Sequence, residues 1–128
     1  MDHDNLDRNP FLNSFIKDVF RASNKEYQER VWIEGKGPEC DDFDETADFI
    51  IGHGEIILKN YKDYGITENQ YFLTKKFWEE FDKFAHSIGR DYLPGDFIDT
   101  PEWTKITEMA KEVLKAFHWK MHAHDGEN

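Results

Sequence analysis

Between Thr67 and Gly89 the chain carries one long helical repeat, and that repeat limits what the rest of the sequence can be. Thr67-x-x-Gln70 is a capping-box signature, in which each side chain satisfies a backbone N–H of the other residue. Phe72, Leu73, Phe77, Trp78, Phe81, Phe84, Ala85 and Ile88 then recur at three- and four-residue spacing, and Gly89 closes the run. An apolar stripe that wide cannot be left in water, so further helices have to cover it.

The remaining segments supply them. Asn9-Pro10 places a good cap before a proline suited to the first helical turn, ahead of Phe11, Leu12, Phe15, Ile16, Val19 and Phe20, and the pattern stops near Ala22. Ser23 with Glu26 forms a second capping box and predicts a short helix through Tyr27, Val31 and Trp32, broken by Gly35, Gly37 and Pro38. Asp44 is the expected cap of a helix through Thr46, Ala47, Phe49, Ile50 and Ile51. Gly52-His53-Gly54 is expected to interrupt it, with a tight turn permitted by the two glycines. Glu55 to Tyr64 is helical again, with Gly65 as its terminal glycine. Arg90 to Asp99 is a loop, and Thr100-Pro101 opens the last amphipathic helix, with Trp103, Ile106, Met109, Ala110, Val113, Leu114 and Phe117 on its apolar face.

The reading is all-α, a bundle of about five helices in one domain spanning residues 1–128. Solvated, flexible ends are expected at 1–8 and 119–128. The competing element is a short β-hairpin from Arg30–Glu34 and Phe49–Ile51. Eleven Phe and four Trp provide material for a core, which sets the chain apart from a disordered acidic one.

The second constraint is charge. Glu39, Asp41, Asp42, Asp44, Glu45 and Asp48 lie within ten residues, and no Lys or Arg occurs from Gly37 to Leu58. These six carboxylates are a large part of a net charge of −11. Like charges this dense repel one another, and they exceed what a helix start needs for capping and dipole. They point to a positively charged protein partner. The same balance disfavours nucleic acid and anionic membranes. A single Cys, Cys40, makes no internal disulfide and suits a reducing cytoplasm. Met1-Asp2-His3-Asp4 has no apolar signal region, and no stretch approaches the roughly 20 apolar residues of a membrane helix. Trp32, Tyr61 and Tyr64 are candidate anchors of a protein interface, because Trp and Tyr carry much of the energy of such contacts.

No catalytic signature is present: no nucleophile elbow, phosphate loop, zinc-protease motif or paired cysteines. Cys40 among carboxylates is a poor nucleophile, since their field disfavours its thiolate. The acidic run lacks the central glycine and late glutamate of a calcium loop. His118, His122 and His124 have helix-like spacing in part but sit in a tail ending in Asp125-Gly126-Glu127-Asn128, where solvated histidines are the simpler reading. The expectation is therefore a protein that is not an enzyme and needs no metal or cofactor.

Two segments, Glu29 to Thr46 (ERVWIEGKGPECDDFDET) and Ile57 to Thr67 (ILKNYKDYGIT), resemble those of small bacterial immunity proteins. Such proteins accompany polymorphic toxins, including those of contact-dependent growth inhibition. The resemblance extends in size, acidity and style over residues 10–117 and designates no individual contact residue. It implies an inhibitor that occupies the basic cleft of a cognate toxin, often a nuclease, by steric and electrostatic occlusion. Two other readings stay open: a small metal-dependent hydrolase built on Asp41, Asp42, Asp44 and His53, or an acidic nucleic-acid-mimic adaptor.

Overall fold

A computed structural model describes residues 9–39, 41–89 and 93–119. Among these residues there are six α-helices and no strand, so the hairpin of Arg30–Glu34 and Phe49–Ile51 does not form. The helices are α1 (Pro10–Ser23), α2 (Lys25–Tyr27), α3 (Phe43–Lys59), α4 (Glu68–Ile88), α5 (Pro94–Phe97) and α6 (Pro101–Ala116). A π-helical stretch, Gln28–Ile33, continues α2, and a 3-10 turn, Tyr61–Tyr64, follows α3.

The caps explain the boundaries. Asn9 accepts from the Leu12 N–H at 3.2 Å with Pro10 in the first turn, and Thr100 accepts from the Trp103 N–H at 3.2 Å ahead of Pro101. At α4 the reciprocal pair is complete: Thr67 Oγ1 accepts from the Gln70 N–H at 3.1 Å, and Gln70 Oε1 accepts from the Thr67 N–H at 2.9 Å. Gly65 adopts φ 70° after the 3-10 turn and Gly89 adopts φ 69° after α4, conformations that cost glycine little.

Several boundaries differ from the sequence reading, among them the expected helix over Glu55 to Tyr64, which ends at Lys59 and gives way to the 3-10 turn Tyr61–Tyr64. The cap of α2 is Asn24, accepting from the Tyr27 N–H at 3.0 Å, while Ser23 ends α1 and donates to the Phe20 carbonyl. Asp42 caps α3 through the Glu45 N–H at 2.8 Å, so Asp44 lies inside the first turn instead of before it. A short helix, Pro94–Phe97, stands in the expected loop and puts Phe97 into the core. Most consequential, α3 runs unbroken through Gly52-His53-Gly54. A Cβ on Gly54 would lie 2.4 Å from Trp78 Cδ1 and 3.1 Å from Phe15 Cε1. The glycine is there because an indole from α4 fills the space, and that indole donates from Nε1 to the Ile51 carbonyl at 3.0 Å.

Helix α1 packs on α3 and α6, and α4 packs on the same two helices. Neighbours α3 and α4 are antiparallel, with Phe43 near Phe81 and Ile51 near Trp78. So are α4 and α6, where Phe84 meets Trp103 while Gln70 Nε2 donates to the Ala116 carbonyl at 3.0 Å. The π-helical stretch and α5 close one end over a nest of rings. Trp103, 1% exposed, has Trp32, Phe43, Phe81, Phe84 and Phe97 around it at centroid distances of 5.2–6.2 Å. Its Nε1–H donates to Gln28 Oε1 at 2.9 Å, while Gln28 Nε2 donates to the Arg21 and Ala22 carbonyls. Buried polar groups cost little when satisfied in this way, and this set fixes the junction of α1, α2 and α6.

Trp119, assigned to a solvated end by its sequence, packs against the core, and its N–H donates to the Leu114 carbonyl at 2.9 Å. The stretches 1–8 and 120–128, and with them His122 and His124, lie outside the described residues, as does Cys40. No helix among the described residues is long and apolar enough to cross a membrane.

Candidate functional site

The acidic run divides into two parts with opposite roles. Glu39 and Asp41 turn inward. Both nitrogens of the Arg30 fork bond Glu39, at 2.8 and 3.0 Å, and this pair holds the Glu39 carboxyl below its ordinary range. Asp41, whose side chain is 5% exposed, accepts from Tyr27 Oη at 2.7 Å, Trp32 Nε1 at 2.9 Å and Thr46 Oγ1 at 2.9 Å, with Arg21 4.0 Å away. Burial and the bond to Asp41 raise the Tyr27 phenol well above its usual value. These contacts tie the segment between the π-helical stretch and α3 to the body of the protein. They use up two of the six carboxylates and also Trp32, which is 8% exposed and lies in the ring nest.

Asp18 adds to the same buried corner. Burial pushes its carboxyl up to about 7; Arg21, at 3.4 Å, opposes that rise, and Asp41 and Glu45 reinforce it.

Asp42, at the cap of α3, and Asp44, Glu45 and Asp48, on its first two turns, are exposed. Among the described residues none of them has a cation within 4.0 Å. Further along the same helix Phe49 is 40% exposed and Ile56 46% exposed, with Gly52 exposed between them. Helical geometry puts Glu45, Phe49, Gly52 and Ile56 on one stripe, separated by steps of four, three and four residues. In the unbroken α3, Phe43, Ala47, Ile50, Gly54 and Ile57 occupy the buried arc. Phe49 and Ile56, seven residues apart, fall together outside it.

His53 stands at the edge of this stripe. Its ring stacks on Phe49 at 5.2 Å and 18° and meets Phe11 at 4.7 Å and 53°; Phe11 in turn lies 6.1 Å from Tyr64. Tyr64 is thus joined to Phe49 through two rings. Tyr61 is turned elsewhere, stacked on Tyr71 at 4.1 Å and donating to Glu68, a bond that raises its phenol pKa. Both tyrosines follow the C-terminal end of a 17-residue helix, about 25 Å from the carboxylates at its start.

The metal-dependent reading needs Asp41, Asp42, Asp44 and His53 in one place, and the fold separates them. Asp41 is enclosed, Asp42 caps α3, and His53 lies nine residues beyond Asp44, roughly 13 Å along the axis. Among the described residues no group of three or more His, Cys, Asp or Glu is arranged to hold a metal ion.

A groove of about 560 Å³ runs between α3 and the end of α4, lined by Phe43, Asp44, Ala47, Asp48, Ile51, Ala85, His86 and Gly89. It borders the acidic turns and extends their surface towards α4. The chain matches no family model, and neither a curated protein nor a solved structure shows detectable similarity to it.

Proposed function

We propose that this chain is an immunity-type inhibitor, which binds a basic toxin domain and blocks its active cleft without performing chemistry. The observation that carries the reading is the outer face of α3, where Asp42, Asp44, Glu45 and Asp48 lack cationic partners among the described residues and adjoin the exposed Phe49 and Ile56. A water-excluding apolar patch beside uncompensated charge is the composition of an interface, with the carboxylates steering encounter and the apolar groups holding the complex. A nuclease cleft has to be basic to bind phosphate, and an acidic helix competes for the same field. The cytoplasm is the proposed place of action, where a toxin directed at nucleic acid would do its damage.

The test is co-expression with the product of the adjacent gene. The reading expects a stable complex and protection of growth when that product is toxic, and it expects Asp44→Asn/Glu45→Gln/Asp48→Asn to lose protection while remaining folded. Full protection by the triple variant would move the interface away from α3. Toxicity unaffected by the wild-type chain would remove the inhibitor reading for that gene pair.

A further inference from the structure

We infer that the Glu45–Phe49–Gly52–Ile56 stripe recognises an arginine side chain of a basic protein partner, in preference to lysine. The inference rests on the acidic-face reading above and adds the chemical identity of the group that docks there.

Phe49 has one ring face against His53, and His53 is itself held by Phe11. The exposed part of Phe49 is therefore its other face and its edge, on a ring that its neighbours keep in place. A fixed aromatic face in a negative field is a receptor for a cation. Glu45 lies one turn before Phe49 on the same side of the helix, close enough for its carboxylate to reach a cation over the ring. Its side chain makes no ion pair among the described residues. One turn after Phe49, Gly52 leaves open space, with nothing within 4 Å of where a Cβ would stand. A bulky side chain can approach the helix there without displacing anything, and Ile56 offers its stem an aliphatic surface.

These parts suit a guanidinium better than an ammonium. A guanidinium is planar and weakly hydrated, stacks on a ring and bonds a carboxylate with its fork at the same time. Lysine concentrates its charge in a strongly hydrated head that gains less from stacking. A second copy of the chain is a poor occupant, because its own α3 brings the same carboxylates to a protein of net charge −11. Phosphates of nucleic acid are repelled for the same reason.

The test uses blocked hexa-arginine and hexa-lysine, which carry equal charge, titrated into the full chain at low salt while backbone amides are followed by NMR. Hexa-arginine is expected to bind about fivefold tighter than hexa-lysine, with the largest shifts at Phe49, Gly52 and Ile56. Phe49→Leu keeps an apolar side chain and removes the ring, so it should bring the two peptides to equal affinity; Phe49→Ala should do the same. Glu45→Gln should weaken hexa-arginine more than hexa-lysine. Equal affinities on wild type, with shifts confined to Asp44, Glu45 and Asp48, would overturn the arginine inference and leave the acidic-face reading standing. Absence of shifts on α3 with either peptide would overturn both.

Discussion

Asp41 is the acidic residue whose role changed most between sequence and structure. It serves three donors from Tyr27, Trp32 and Thr46, all largely out of water. Truncation leaves those donors unsatisfied, and each such group costs on the order of 1–3 kcal/mol. Asp41→Ala should therefore lose about 3 kcal/mol or more of stability in urea unfolding, and Asp41→Asn less, since an amide still accepts through its oxygen. A change within about 0.5 kcal/mol for the alanine variant would mean that the enclosed geometry is not populated in solution. Asp18 gives a second residue-scale test, with the sign set by its raised pKa. The folded state holds the proton up to about pH 7, whereas the unfolded chain releases it near 3.8, so Asp18 makes stability fall as pH rises across that window. Arg21, Asp41 and Glu45 face the same group and are common to variant and wild type. Asp18→Asn should be closest to neutral below about pH 4 and should stabilise less at pH 5 than at pH 8, read as the difference in urea midpoints. An equal effect at the two pH values would contradict the buried, proton-retaining carboxyl.

At the scale of elements, the two glycines flanking His53 test the account of α3. Gly54 is where Trp78 crosses, and Gly52 faces open solvent. Gly54→Ala should destabilise by about 2 kcal/mol or more through overpacking, while Gly52→Ala should stabilise by roughly 0.5–1 kcal/mol through helix propensity. Thermal melts of the two variants would show opposite shifts; shifts of the same sign would contradict an unbroken helix at this point. The pair also shows where the sequence could be read and where it could not. Helices α1, α4 and α6 were legible because Asn9-Pro10, Thr67-x-x-Gln70 and Thr100-Pro101 are local signals that act through hydrogen bonds within one turn. Gly54 misled because its reason is a side chain 24 residues away, and no local signal carries that. Joining the two halves of α3 would have exposed the seven-residue spacing of Phe49 and Ile56. The inward turn of Glu39 and Asp41 was hidden in the same way, since the fork of Arg30 and the three donors to Asp41 come together only in the folded chain.

At the scale of the molecule, the aromatic nest holds the ends of four helices together, and Trp103 is its centre. Trp103→Ala should cost about 3–5 kcal/mol and also release Gln28, which loses its Nε1 donor. The acidic face lies next to this rigid end: α3 begins at Phe43, a member of the nest, and the exposed carboxylates occupy the two turns that follow. A charged surface anchored in this way keeps its shape when charges are removed, so steering can be separated from folding. Neutralising Asp44, Glu45 and Asp48 should leave the melting temperature within a few degrees of wild type, or raise it slightly as repulsion is relieved. Asp42 is left out because it caps α3, and Asp41 because it holds the corner together.

The most direct measurement is the association rate constant of wild type and Asp44→Asn/Glu45→Gln/Asp48→Asn with the co-purifying basic partner, followed by stopped flow from low to physiological salt. If the outer face of α3 steers the complex, the wild-type rate falls steeply with salt, and the triple variant is slower by on the order of tenfold at low salt and nearly flat in salt. A triple variant that associates as fast as wild type at low salt, with the same salt dependence, would contradict the account and make these carboxylates ordinary solvated surface.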